Sequence, residues 1–158
     1  MAIIRVETQI AASPELCFDL KRSVELHLVT TGDSGERAVA GVTAGLIGAG
    51  QEVTWSARHF GFRQLLTSRM SRFERPHHFR DSQVRGAFAR FDHDHYFEAR
   101  AGGTLMTDVF DYSAPFGLLG RLAERLLLTR YMRRLLIARG RGLKAAAESG
   151  AGARLLTG

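Results

Sequence analysis

FARFDHDHYFEARAGGTLMTDVFDY, residues Phe88 to Tyr112, is the stretch whose reading decides the fold. It reads as two long strands reversing at Gly102-Gly103, because adjacent glycines between alternating runs supply the positive φ that a tight turn needs. With those two residues as the turn, Phe97 faces Asp108, His95 faces Phe110, His93 faces Tyr112 and Ala99 faces Met106. The alternation then puts Phe91, His93, His95, Phe97, Met106, Asp108, Phe110 and Tyr112 on one shared side. The other side carries Asp92, Asp94, Glu98, Arg100, Thr107 and Asp111, interrupted by Tyr96, Leu105 and Val109. There Asp94 stands opposite Asp111, a like-charge pair that is tolerable only in water. An apolar face with two histidines and an aspartate set into it has the composition of a lined cavity.

Working outward, the chain before this hairpin alternates repeatedly. Ile4, Val6, Thr8 and Ile10 share one face of a first strand, and Ser13-Pro14 then caps and opens a helix, where proline loses nothing by lacking an N–H. A second short helix over 23–28 completes the connection. Residues 37–50 are glycine-rich and weakly patterned, a short strand with a mobile loop, and a flexible segment beside a cavity could also act as its lid. Residues 51–60 and 62–73 are two more alternating runs broken at Gly61, with Val53, Trp55, Ala57 and His59 on one face. A further strand over 78–85 puts Phe79, Asp81 and Gln83 on one side, inward unless the strand slips by one residue.

Beyond Tyr112 the period changes from two to 3.6. Leu118, Leu119, Leu122, Leu126, Tyr131, Met132, Leu135, Leu136 and Leu143 recur at helical spacing, with arginines mostly between them. The spacing predicts one long helix from Ser113-Ala114-Pro115 to about Glu148, with a bend at Gly140 and Gly142, and a disordered tail over 149–158. An antiparallel sheet with one apolar face must be covered, and this helix is the element large enough to do it. The fold class is therefore α+β: a curved antiparallel sheet of six to seven strands around a long carboxy-terminal helix, with two short helices after the first strand, in a single domain over 1–148.

A formal charge of +6 invites a nucleic-acid reading, but the distribution argues against it. Lys21 and Lys144 are the only lysines, and the arginines are dispersed over strands and helix, with no run of five or six and no interleaved exposed aromatics of the kind that grip single strands. The arginine-rich helix reads as a solvated outer face, with peripheral contact to an anionic membrane as its rival reading. Cys17, the single cysteine, sits in an apolar setting as a packed thiol. No stretch approaches the length of a membrane span and the start lacks a signal-peptide pattern, so a cytoplasmic protein is expected, as monomer or homodimer.

In order and spacing, Ile10 to Phe18, Phe79-Arg80-Asp81-Ser82-Gln83 with Gly86 and Phe88, His93 to Glu98, Gly103-Thr104 with Asp108, and Tyr112 to Pro115 together resemble the START-like, or SRPBCC, helix-grip superfamily. That superfamily groups Bet v 1-like, CoxG-like and polyketide cyclase/dehydrase-like proteins, and the resemblance covers residues 3 to about 148. It implies a deep cavity between sheet and long helix for a lipid, quinone, polyketide or other apolar small molecule. It carries over no reaction, since catalytic residues differ between branches.

The candidate ligand-binding set is Trp55, Phe79, Asp81, Gln83, Phe91, His93, His95, Phe97, Met106, Asp108, Phe110, Tyr112, Leu122 and Leu126. Within it, His93, His95 and Asp108 admit three chemistries. A carboxylate aiming an imidazole suits a general base for cyclisation or dehydration. His-x-His with a carboxylate has the composition of a metal site, but a third strong ligand at fixed spacing is missing, so no metal and no cofactor are expected. The same groups can instead form a satisfied buried network that fixes the cavity's shape or binds the polar end of a ligand.

Overall fold

The computed structural model describes residues 2–157; Met1 and Gly158, the last residue of the expected tail, lie outside them. Seven strands form one antiparallel sheet in the order β1-β7-β6-β5-β4-β3-β2. They are β1 (Ala2–Ile10), β2 (Arg37–Gly41), β3 (Glu52–His59), β4 (Phe62–Glu74), β5 (His78–Arg85), β6 (Arg90–Arg100) and β7 (Gly103–Ser113). The chain enters along one edge through β1, crosses by two short helices, α1 (Pro14–Lys21) and α2 (Val24–Val29), and walks back strand by strand from β2 to β7. The Ser13 side chain caps α1 by accepting from the Leu16 amide at 3.2 Å, with Pro14 in the first turn, and Ser23 does the same for α2 at the Leu26 amide.

The β6–β7 hairpin keeps the expected faces but not the expected offset. Arg100 pairs with Gly103, so the two-residue turn is Ala101-Gly102, and His95 lies directly opposite Asp108, Phe97 opposite Met106, His93 opposite Phe110 and Phe91 opposite Tyr112. The two glycines have different tasks. Gly102, at φ +80°, makes the turn, whereas Gly103 belongs to β7 and lies so close to β1 that a Cβ there would stand 2.0 Å from the Ile10 carbonyl oxygen. The offset differs by two residues, so every side chain stays on its expected face. One consequence of the slip is that Asp94 does not oppose Asp111. Asp94 pairs across to Val109 and is buried under Arg80 and His78, while Asp111 faces Asp92 and Arg90 bridges the two.

Residues 42–51 are stitched down, and they line neither of the cavities described below. Ile47 is in the core, its amide donates to the Arg22 carbonyl, and the Val24 amide donates to the Gly45 carbonyl. The segment where a mobile loop or lid is expected thus supports α1 and α2 and is not a wall of either cavity.

The carboxy-terminal helical stretch begins at Gly117, four residues later than expected, because Ser113 still belongs to β7. It runs as α3 (Gly117–Ala123), a π-helical turn (Glu124–Leu128) and α4 (Thr129–Ser149). The π turn inserts one residue into the helical period, which rotates everything after it by roughly 100°. That rotation splits the apolar stripe: Leu136 and Leu143 of α4 are buried against the sheet, whereas Leu118, Leu119, Leu122 and Leu126 face water. Gly140 and Gly142 lie within α4 and serve as close-approach points, since added Cβ atoms would meet Thr8 Oγ1 at 2.7 Å and Thr30 Cγ2 at 2.5 Å. Lys144 Nζ donates to the Gln9 carbonyl at 2.7 Å and Arg133 to the Arg5 carbonyl at 3.3 Å, tying α4 to β1.

The tail is helical rather than disordered. Gly150, at φ +79°, reverses the chain, and α5 (Ala151–Thr157) returns against α1, with Gly152 against Leu20 and Leu156 packed on the core. None of these helices, among the described residues, is long and apolar enough to cross a membrane.

Candidate functional site

A cavity of about 260 Å³ lies between the inner face of the sheet and α4. Trp55, Ala57 and His59 of β3, Leu66 and Ser68 of β4, Asp81 of β5, Phe91 and His93 of β6, and Phe110 of β7 form its sheet wall. Tyr131, Met132, Leu135, Leu136 and Arg139 of α4 form its roof, and Phe60, Phe88, Pro115 and Leu128 come from the connections. A smaller recess of about 70 Å³ lies beside it, under α1 and α2, and the two share His27, Asp81, His93 and Arg139. Aromatic and aliphatic walls meeting a few convergent polar groups are the usual composition of a small-molecule pocket.

The polar groups fall into two networks. In the first, Asp108 is wholly buried and accepts from His95 Nδ1 at 2.6 Å, His93 Nε2 at 3.2 Å and Lys21 Nζ at 3.2 Å. Burial alone would raise its carboxyl, but the Lys21 ammonium and the two imidazole donors hold it well below the usual carboxylate range. An ionised carboxylate only accepts, so His93 carries its proton on Nε2 and keeps Nδ1 as an acceptor. Burial, aided by the neighbouring His95, pushes His93 down to about 4, so it is neutral at physiological pH. The other nitrogen of His95 faces Asp81 Oδ2 at 3.3 Å, which links β5, β6, β7 and α1 in one chain of contacts.

The second network was not visible in the strand alternation. His27 of α2 stacks on Trp55 at 4.0 Å between ring centroids and binds Glu36 at 2.9 Å, and Arg139 of α4 reaches the same carboxylate at 3.2 Å. Burial opposes ionisation of Glu36, yet His27 and Arg139 hold its carboxyl below the usual range. Burial pushes His27 down, with Arg139 acting in the same direction, and burial likewise lowers His59, which hydrogen bonds the Tyr131 hydroxyl. His59 shares its strand face with Trp55, and Arg139 follows Leu136 and precedes Leu143 on one helical stripe, so both carried a readable signal. Glu36 lies in a turn-rich stretch and His27 in a helix of six residues, each too short to show a period.

The fourteen positions expected around a ligand divide by depth. Trp55, Asp81, Phe91, His93 and Phe110 line the larger cavity, and His95 lines the smaller recess. Phe79, Phe97, Met106, Asp108 and Tyr112 are buried behind that surface and shape it without lining it. Gln83 acts one step removed: its side-chain amide donates to the Phe88 carbonyl at 2.9 Å, holding a loop whose Phe88 ring packs edge-on against Phe91, Phe110 and Tyr112. Leu122 and Leu126 stand outside, in water. The ligating atoms of His93, His95 and Asp108 lie within 4.8 Å of one another, a metal-like spacing, but Asp108 is already neutralised by Lys21 and a cation would have to displace it.

Neither a family model nor a curated protein matches this sequence. Solved structures do. TTHA0849 from Thermus thermophilus superimposes with a TM-score of 0.77 at 20% identity, covering 94% of this chain and 99% of that one. Major latex-like protein 151 from Panax ginseng gives 0.67 at 15% identity, covering 92% and 97%, and Ara h 8.0201 gives 0.60 at 12%, covering 90% and 97%. The chain has the Bet v 1-like helix-grip fold. In helix-grip terms the cavity lies in the grip itself, between the curved sheet and α4, and α1 and α2 close its narrow end.

Proposed function

We propose that this helix-grip chain binds an apolar small molecule, of lipid, quinone or polyketide-like size, in the cavity between the sheet and α4. The observation that carries the reading is the cavity itself, about 260 Å³ walled by Trp55, Phe91, Phe110, Leu136 and Met132, with His93, Asp81 and Arg139 converging at its inner end. Apolar walls supply affinity in proportion to the area removed from water, and the few polar groups orient one end of the ligand. His93 Nδ1, left as an acceptor, suits a hydroxyl or N–H at that end.

The rival reading is a cyclase or dehydratase in which His93, aimed by Asp108, removes a proton. The geometry of that pair favours it, but an imidazole held near 4 is a weak base at neutral pH, and a general base works best with a pKa close to the working pH. Binding or carriage is therefore the better-supported role.

Trp55, the single tryptophan, is a built-in reporter because it lines the cavity and stacks on His27. Titrating the chain with a naphthoquinone is expected to quench Trp55 emission to saturation. Ala57→Phe, which fills the cavity from β3, is expected to weaken that binding about tenfold or more while the fold is retained. Equal saturable quenching in the filled variant would place the ligand elsewhere and sink the proposal.

A further inference from the structure

We infer that the chain docks on anionic membrane surfaces through its exposed 116–127 segment, with the mouth of the cavity turned toward the lipid. Phe116, Leu118, Leu119, Leu122, Leu126 and Leu127 are between 56% and 85% exposed. A contiguous apolar surface of this kind on one short stretch costs solubility and marks an interaction site. Its surroundings select the partner. Arg121, Arg125, Arg130, Arg133 and Arg134 are all exposed or half-buried, and the one acid between residues 113 and 147, Glu124, is turned inward to accept from the Ala114 amide at 2.7 Å. Exposed apolar side chains on a stretch whose exposed charges are all positive fit a surface that is greasy below and anionic above, which is the chemistry of an acidic lipid leaflet.

The same region borders the cavity. Pro115 and Leu128, at the two ends of the segment, both line it. Phe60, at the β3–β4 turn, also lines it, with its ring 4.6 Å from that of Tyr131, and Leu65 beside it is exposed and lines it too. Phe60 and Phe116 are the two non-glycine residues with positive φ among the described residues, at +52° and +69°, and both are exposed. Bulky residues are disfavoured in that conformation, so local backbone preference does not account for an aromatic ring at either position. An apolar ligand could pass between bilayer and cavity here without crossing water. The docking inference stands without that, because it rests on the surface alone.

The test is co-sedimentation of the full chain with vesicles of phosphatidylcholine, with and without phosphatidylglycerol. Binding is expected only with phosphatidylglycerol and is expected to weaken as salt is raised. Arg121→Glu with Arg125→Glu, and separately Leu118→Ser with Leu122→Ser, are each expected to weaken binding about tenfold or more, the first because each charge near such a surface is worth roughly a factor of five and the second because two leucines no longer leave water. Val29→Ser, an exposed apolar change on α2, is expected to have no effect. All these positions are exposed, so circular dichroism should show the fold intact. The inference is overturned if wild type ignores phosphatidylglycerol or if both double variants bind as wild type does. It is also overturned if sedimentation velocity finds the leucines buried in a dimer that Leu118→Ser with Leu122→Ser dissolves while no vesicle binding occurs.

Discussion

Removing the carboxylate of Asp108 would strand three donors at once: His93, His95 and the nearly buried ammonium of Lys21. Breaking one side of a buried ion pair leaves the other charge uncompensated, at a cost of about 3–5 kcal/mol. Asp108→Asn is therefore expected to lower unfolding free energy by about that much in urea, and adding Lys21→Met should recover a large part of it. A loss no greater in the single variant than in the double would show that Lys21 and Asp108 are not coupled. His93 makes a second, pH-dependent contribution. Its folded value near 4 lies below its ordinary 6.5, so the unfolded chain takes up the proton first. Stability from this group is complete above about pH 6.5 and is lost as pH falls toward 4, to a ceiling of about 3 kcal/mol. Asp108 on β7, His95 on β6, Asp81 on β5, Lys21 on α1 and Arg139 on α4 all face this ring or its recess. Of these, Asp108 adds a loss of the same sign only at lower pH, as its depressed carboxyl protonates. Urea midpoints measured from pH 8 to pH 4 should fall, and His93→Gln should make the fall shallower, the remainder coming from His27 and His59, which burial also lowers. At this scale His93, His95, Asp81 and Asp108 were legible because a strand shows its inner face at every second residue. Glu36 was not, because a turn has no period.

At the scale of elements, the β6–β7 hairpin separates what alternation can tell from what it cannot. Alternation assigns faces, but the offset depends on which glycine is pressed against β1, a contact between segments more than ninety residues apart. The two glycines should accordingly respond differently. Gly102→Ala meets open space and should cost about 1 kcal/mol for its backbone conformation alone, whereas Gly103→Ala must also push β1 aside and should cost clearly more. Thermal melts of the two variants decide it, and equal losses would return Gly103 to the turn. In α4, Gly140→Ala gains up to about 1 kcal/mol of helix propensity but puts a methyl against the stiff side chain of Thr8. A net loss is expected for Gly140→Ala alone and a gain for Gly140→Ala measured on a Thr8→Ala background. The phase break at the π turn was illegible for a related reason: ERLLL continues the helical spacing, and the extra residue shows only in the backbone, where the Thr129 amide donates to the Glu124 carbonyl five residues back.

At the scale of the whole molecule, the order of strands and helices followed from runs of period two giving way to one long run of period 3.6. The end of the chain did not. Gly150-Ala151-Gly152 reads as a helix stop followed by a loose tail, yet Gly150 only reverses the chain and Gly152 is the point where α5 can approach Leu20. A chain ended after Ser149 should leave Leu20 and its neighbours partly bare. A loss of about 2 kcal/mol would lower Tm by roughly 4–8 °C for a chain of this size. An unchanged melt would mean that α5 is dispensable.

The ties from α4 to β1 have a consequence for how the molecule can open. β1 is an edge strand with the sequence AIIRVETQI, and its outward carbonyls at Arg5 and Gln9 are taken by Arg133 and Lys144. An uncovered edge of that composition is a template for pairing with another chain. Swinging α4 away to admit a ligand would bare this edge in the same movement. Uptake through a lifted helix would thus carry an aggregation hazard that entry past α3 and the β3–β4 turn avoids.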